Sequence, residues 1–158
     1  MPSITDVRFR NPKRIYLDSC CLNRPFDDLT QDRIRMEAEA ILTIFKQVTE
    51  GTRVLVSSDA VDIEISQNPD TERASTVKSS ADTASIHIAF DDSIQVRAQV
   101  LENANIYSYD ALHLACAEAA KVDIFFTTDD DLIMNYQRIT PKSRMLVINP
   151  LAWISEVI

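Results

Sequence analysis

Among 158 residues there is a single glycine, Gly51. A phosphate-cradling P-loop and the Gly-rich dinucleotide fingerprint each need several glycines, so both are excluded. Cysteine is scarce as well. Cys20 and Cys21 are adjacent, Cys116 is distant, and neither a Cys-x-x-Cys pair nor a zinc-like spacing toward the two histidines exists. Reduced thiols are expected, with Cys116 in the core on an apolar helix. No apolar run approaches the roughly 18 residues of a membrane span, and the N-terminus lacks the apolar centre of a signal peptide. The expectation is a cytoplasmic protein that does not engage a membrane. Positive charge is also short. Sixteen Lys and Arg stand against 24 Asp and Glu, giving a net charge of −8 and a pI near 4.7. This argues against a broadly basic nucleic-acid-binding face. It leaves three readings: solvated acids, a basic partner, or an acid cluster built for metal ions.

What is present fits one globular domain over residues 1–158. Hydrophobic residues reach 46%, enough for a core at this length. Residues 1–13 read as a polar lead-in. Arg8, Arg10, Lys13 and Arg14 form a basic cluster there, of the kind more often solvated than engaged with phosphate. Short apolar runs then alternate with helical patterns. Ile15-Tyr16-Leu17 ends at Asp18, and Ser19 to Leu29 reads as a loop or short turn. From Thr30, Ile34, Ala38, Ile41, Phe45 and Val48 mark one helical stripe that Gly51 stops as a C′ residue. Val54-Leu55-Val56 is the second run. Ser57 and Ser58 are positioned to cap a helix over Asp59 to Ser66, which carries Glu64. A polar helix over Asp70 to Ser80, a short strand at Ile86 to Phe90, and a helix opened by Asp91-Asp92 follow.

Ser108 to Ala120 is a helix of small apolar residues, with Ser108 as its expected N-cap and Asp110 in its first turn. It feeds a fourth run over Asp123 to Phe126, followed by Thr127-Thr128-Asp129-Asp130-Asp131-Leu132. Met145 to Ile148 is the fifth run, and Asn149-Pro150 opens a terminal helix anchored by Leu151, Trp153 and Ile154. Short strands without polar alternation, separated by helices, predict a doubly wound α/β domain with about five parallel strands.

That fold predicts where the acids fall. Ligands of open α/β sheets gather beyond the carboxyl ends of strands. Asp18 ends the first run, Asp129 follows the fourth, and Glu64 lies two turns past the second. A helix entering the fourth strand runs antiparallel to it, which places Asp110 at the same edge. Converging carboxylates repel, and a hard divalent cation is the usual remedy. Mg²⁺ or Mn²⁺ suits such oxygen ligands and activates water for attack on phosphate. Taken one at a time, each acid reads equally well as a turn, cap or surface residue; the joint pattern is more specific.

The residues Asp18 after Ile-Tyr-Leu, Glu64 after Val-Leu-Val-Ser, Asp110 in Asp-Ala-Leu-His-Leu-Ala, and Thr127-x-Asp129-x-x-Leu132 resemble the PIN-domain nucleases. Within that family they look like the VapC-type toxins of type II toxin–antitoxin pairs. The resemblance spans about residues 14–155. It implies a three-layer α/β/α fold with a five-stranded parallel sheet and a Mg²⁺- or Mn²⁺-dependent endoribonuclease. It also implies metal-binding and catalytic roles for Asp18, Glu64, Asp110 and Asp129, an additional metal-site acid at Asp131, and supporting roles for Ser19 and Thr127 in orienting water. An antitoxin partner and a homodimer follow from the resemblance alone. The segment from Asp18 to Asp28, with its Cys-Cys and Asn-Arg-Pro, departs from the family's commonest opening and marks an atypical subgroup. Because the chain is acidic, local arginines such as Arg24 would have to guide an RNA strand. His113 reads as structural, and no Ser-His-acid triad is legible. Two rivals stand beside the nuclease. One is a catalytically silent PIN-like module that binds or regulates another protein. The other is a receiver-like domain, disfavoured because its adjacent acid pair and central phospho-acceptor are missing.

Overall fold

The computed structural model describes residues 6–157. Five strands form one sheet: β1 (Arg14–Leu17), β2 (Val54–Ser58), β3 (Ile86–Ile88), β4 (Ile124–Phe126) and β5 (Leu146–Ile148). Their spatial order is β3-β2-β1-β4-β5, and every pairing is parallel. The registers Ile15 to Leu55 and Ile15 to Ile124 set the three central strands side by side. β1 and β4 are buried along their apolar residues, which is why these runs lack polar alternation.

Nine helices among the described residues flank and connect the strands: α1 (Val7–Arg10), α2 (Ser19–Asn23), α3 (Asp32–Thr49), α4 (Asp59–Ser66), α5 (Thr71–Ala81), α6 (Asp92–Asn103), α7 (Ser108–Ala119), α8 (Asp130–Ile139) and α9 (Pro150–Val157). α3 packs on α9, and α7 packs on α6 and α4. The helix α3 ends as its sequence suggests. Gly51 has φ +81°, its N–H bonds the Val48 carbonyl, and the Thr52 N–H bonds the Gln47 carbonyl. This is a Schellman closure, in which glycine carries the left-handed residue without a Cβ clash. None of the helices is long and apolar enough to cross a membrane.

Three local expectations are revised. Residues 19–23 are a helix and Arg24–Phe26 a 3-10 turn, not an open loop. The cause is Asp18, whose side chain accepts from the Cys21 N–H and so caps the turn. Ser108 is not the N-cap of α7. Tyr107 occupies that position without a side-chain bond, and the Ser108 hydroxyl donates to Glu102 at 2.8 Å. The lead-in is partly structural: Phe9 is fully buried and its carbonyl accepts from the Trp153 indole at 2.6 Å.

Candidate functional site

The strand order reverses direction at β1. Chain connections run one way through β2 and β3, and the other way through β4 and β5. Such a switch point opens a crevice beyond the carboxyl ends of the strands. Here a cavity of about 260 Å³ is lined by Asp18, Ser19, Cys20, Arg24, Glu64, Asp110, Thr128 and Asp129. All four carboxylates named as a set in the sequence therefore share one cavity, although they come from positions 18 to 129.

Each is placed by a separate local device. Asp18 follows β1 and caps α2 through Oδ1, which accepts from Cys21 N at 3.0 Å and from the Cys20 thiol at 2.8 Å. It is only 4% exposed. Asp129 follows β4 and caps α8, its Oδ1 accepting from Asp131 N and Leu132 N. Both caps consume one oxygen of the carboxylate. Asp110 sits in the first turn of α7, where unpaired backbone N–H groups favour an anion.

Glu64 is held through a buried polar chain. Its Oε1 meets His113 Nε2 in a short contact, His113 Nδ1 lies 2.6 Å from the Tyr16 hydroxyl, and that hydroxyl lies 2.7 Å from Ser58 Oγ. One proton assignment satisfies every member. Ser58 donates to Tyr16, Tyr16 donates to Nδ1, and Nε2–H donates to Glu64. His113 is fully buried on α7 and also meets Tyr16 edge-on. Its role is thus to orient Glu64, which sharpens the structural role read from the sequence.

The electrostatics are unresolved by the protein itself. Burial and the charges of Asp18, Asp129 and Glu64 push the Asp110 carboxyl up to about 7, with His113 opposing. Burial, with a smaller contribution from Cys20, likewise raises Asp18 well above the ordinary carboxylate range. Among the described residues Arg24 is the only cation lining the cavity, and its guanidinium already has protein partners. Nη1 bonds Asp27 at 3.0 Å, Nη2 bonds Thr128 at 2.7 Å, and Nε lies 3.3 Å from buried Glu37. Carboxylates with no cation to neutralise them form a donor set suited to a hard divalent ion. The arrangement is open rather than a closed cage. Among the described residues, the ligand-type groups packed within 4.8 Å of one another are Asp18, Cys20 and Cys21, and separately Asp59, Asp62 and His87.

The family model of the PIN domain matches residues 15–136, from the first strand into α8. The chain belongs to the PIN domain family. Among solved structures, the PIN fold here is similar to the crystal structure of VapBC2 from Rickettsia felis bound to a DNA fragment from their promoter. That match has 13% identity and a TM-score of 0.54, covering 86% of this chain and 98% of that one. At this identity the likeness concerns the fold. No curated protein sequence matches the chain.

The remaining expected PIN-site residues divide. Ser19 and Arg24 line the cavity. Thr127 lies behind it, fully buried, with its hydroxyl accepting from the Asp129 N–H at 3.1 Å. Asp131 is exposed on the first turn of α8 and does not line the cavity. Two lining residues were not anticipated from the sequence, Cys20 and Thr128. Their hydroxyl and thiol are 3.1 Å apart, and the low pKa of Cys20, about 6, arises chiefly from its bond with Cys21. The Asp-Ser-Cys-Cys and Thr-Thr-Asp runs held the only available signal.

Proposed function

We propose that the protein is a Mg²⁺- or Mn²⁺-dependent endoribonuclease that hydrolyses RNA phosphodiester bonds, of the toxin type among PIN proteins. The observation that carries this reading is the convergence of Asp18, Glu64, Asp110 and Asp129 on one cavity that holds no free cation. Membership of the PIN family supports it.

In this reading Asp18, Glu64, Asp110 and Asp129 hold the divalent cation, and its contribution when bound is to polarise the phosphodiester and activate water for in-line attack. Asp18 and Asp129 each present one oxygen to the cavity while the other caps a helix. The pre-set caps lower the cost of ordering these side chains. Glu64 is aimed by His113. Ser19 and Thr128 supply hydroxyls at the cavity wall, Thr127 fixes the backbone of Asp129, and Arg24 fixes the wall through Thr128. Asp131 is proposed as the additional metal-site acid, next but one to Asp129 on the first turn of α8. The fold match to a VapBC2 complex makes a small antitoxin-type protein the partner to test; a homodimer and a cytoplasmic location are further proposals.

The test is cleavage of a structured RNA with Mn²⁺ and Mg²⁺, comparing wild type with Asp110→Asn after both are shown to be folded and free of partner. Metal-dependent cleavage in the wild type, reduced at least a hundredfold in Asp110→Asn, is the expected result. Undiminished cleavage by the variant would sink the assignment. A second reading, a silent binding module, draws on Arg24, whose guanidinium already meets Asp27, Thr128 and Glu37 rather than standing free for a phosphate strand. Calorimetry separates the two: a cavity that takes up no Mn²⁺ favours the module.

A further inference from the structure

A second and larger cavity, of about 720 Å³, opens at the opposite edge of the sheet, beneath the amino ends of β4 and β5. It shares no lining residue with the carboxylate cavity. Its chemistry is the reverse of the rest of the chain. Acids outnumber bases 24 to 16 over the whole sequence, but the lining carries Arg8, Arg97, Lys121, Lys142 and Arg144 against Glu118 and Asp123.

Both acids have partners within the protein. Glu118 accepts from Arg97 at 2.7 and 3.1 Å and from the Tyr136 hydroxyl at 2.6 Å. Asp123 accepts from the Lys13 and Arg14 backbone N–H groups at 3.0 and 3.2 Å, tying β1 to β4. Lys121, Lys142 and Arg144 form no ion pair among the described residues. Lys121 follows the end of α7 with a left-handed backbone, φ +55°. The hydroxyls are likewise occupied: Thr140 bonds the Tyr136 carbonyl, and Ser143 bonds Tyr136 and the Met145 backbone. The lining is left with an excess of positive charge, carried without an ion pair by Lys121, Lys142 and Arg144. Val122, Ile139, Pro141 and Met145 line the same cavity and give it an aliphatic wall.

We propose that this cavity binds a small organic phosphate of nucleotide size. Lys121, Lys142 and Arg144 would meet the phosphate through charge-assisted bonds, and the aliphatic residues would seat the organic body. The volume falls in the range of small-molecule sites and exceeds what an inorganic anion fills. The proposal is independent of the nuclease reading, because the two cavities lie at opposite edges of the sheet.

Calorimetry on the full chain in excess chelator tests it, with ADP, inorganic pyrophosphate and adenosine as probes. Chelation removes any route through a cation at the carboxylate cavity. One-to-one binding of ADP is expected, with adenosine at least tenfold weaker and pyrophosphate weaker than ADP. The double variant Lys142→Glu, Arg144→Glu should bind ADP at least tenfold more weakly, whereas Asp110→Asn should bind it as wild type does. In the unaltered protein the ADP affinity should fall as NaCl rises. Absence of saturable binding, equal affinity in the double variant, or a salt-independent affinity would overturn the site. Pyrophosphate binding as tightly as ADP would overturn the organic body.

Discussion

Asp110 carries the clearest consequence of the crowded carboxylates. Its carboxyl stands at about 7 against an ordinary 3.8, through burial first and the charges of Asp18, Asp129 and Glu64 next. The folded state therefore holds a proton that the unfolded chain releases near pH 4. Protons bound only in the folded state make stability fall as pH rises. Without a divalent ion, the stability tied to Asp110 is present below about pH 4 and lost as pH climbs to about 7. At a half-buried carboxyl screened by solvent, this is worth about 1–2 kcal/mol. Thermal melts in chelator should show wild type losing a few degrees between pH 5 and pH 8, with a flatter profile for Asp110→Asn. Mn²⁺ at pH 8 should restore the wild type more than the variant, by mass action on the folded state. Identical pH profiles for the two proteins would remove the electrostatic account. Tyr16 offers a second check at this scale. Tyr16→Phe leaves Ser58 and His113 Nδ1 without their shared partner in a buried chain, at a cost of about 1–3 kcal/mol by chemical denaturation. Because His113 aims Glu64, Mn²⁺ affinity should weaken too; an unchanged affinity would confine the chain to a packing role.

Helix termini are where structure and proposed chemistry share residues. Asp129 caps α8 and lines the cavity, so its two roles need separating. Asp129→Asn preserves an oxygen for the cap and removes the charge, whereas Asp129→Ala removes both. Loss of an N-cap costs about 1 kcal/mol. Asn should melt within a degree or two of wild type yet bind Mn²⁺ poorly, and Ala should show both defects. Equal metal binding by Asn and wild type would reduce Asp129 to a cap. Elements of this kind were legible to different degrees. The helical spacing in α3, the Gly51 stop and the apolar strands follow from local pattern, as does the edge where Asp18, Glu64, Asp110 and Asp129 meet. The short helix α2 did not, because the run from Ser19 to Asn23 is too short to show helical spacing and its cap, Asp18, read as a turn acid or a metal ligand rather than as a helix start. Glu37 is the sharper case. It lies off the apolar stripe read for α3 and was given no role from the sequence, but it is 1% exposed and paired with Arg24, Arg33 and Asn149. Partners at positions 24 and 149 exist only after the chain has folded. Cys20 and Thr128 escaped notice for the same reason: their proximity depends on β1 and β4 being neighbours.

At the scale of the whole molecule, charge is sorted rather than merely acidic. The carboxylate cavity and its surroundings hold their arginines in internal pairs: Arg24 with Asp27 and Glu37, Arg73 with Asp27, Arg33 with Glu37 and Asp130. These pairs brace the first turns of the site and leave little positive surface for a strand to follow. Uncommitted cations gather instead around the cavity at the other edge of the sheet. For a nuclease of this construction, substrate recognition would rest on the cation at the carboxylates more than on a basic groove. The salt dependence of the reaction reports the difference. Each phosphate neutralised by Lys or Arg contributes about −0.7 to the slope of log affinity against log salt for a single strand. With one or two such contacts, the slope of log kcat/KM against log KCl at saturating Mn²⁺ should be about −1. A slope of about −4 or steeper would mean that five or more basic contacts engage the RNA. The strand would then have to reach the Lys121, Lys142 and Arg144 surface, or a partner would have to supply the missing charge. Repeating the measurement with the Lys142→Glu, Arg144→Glu protein distinguishes these, since only the first makes the slope shallower.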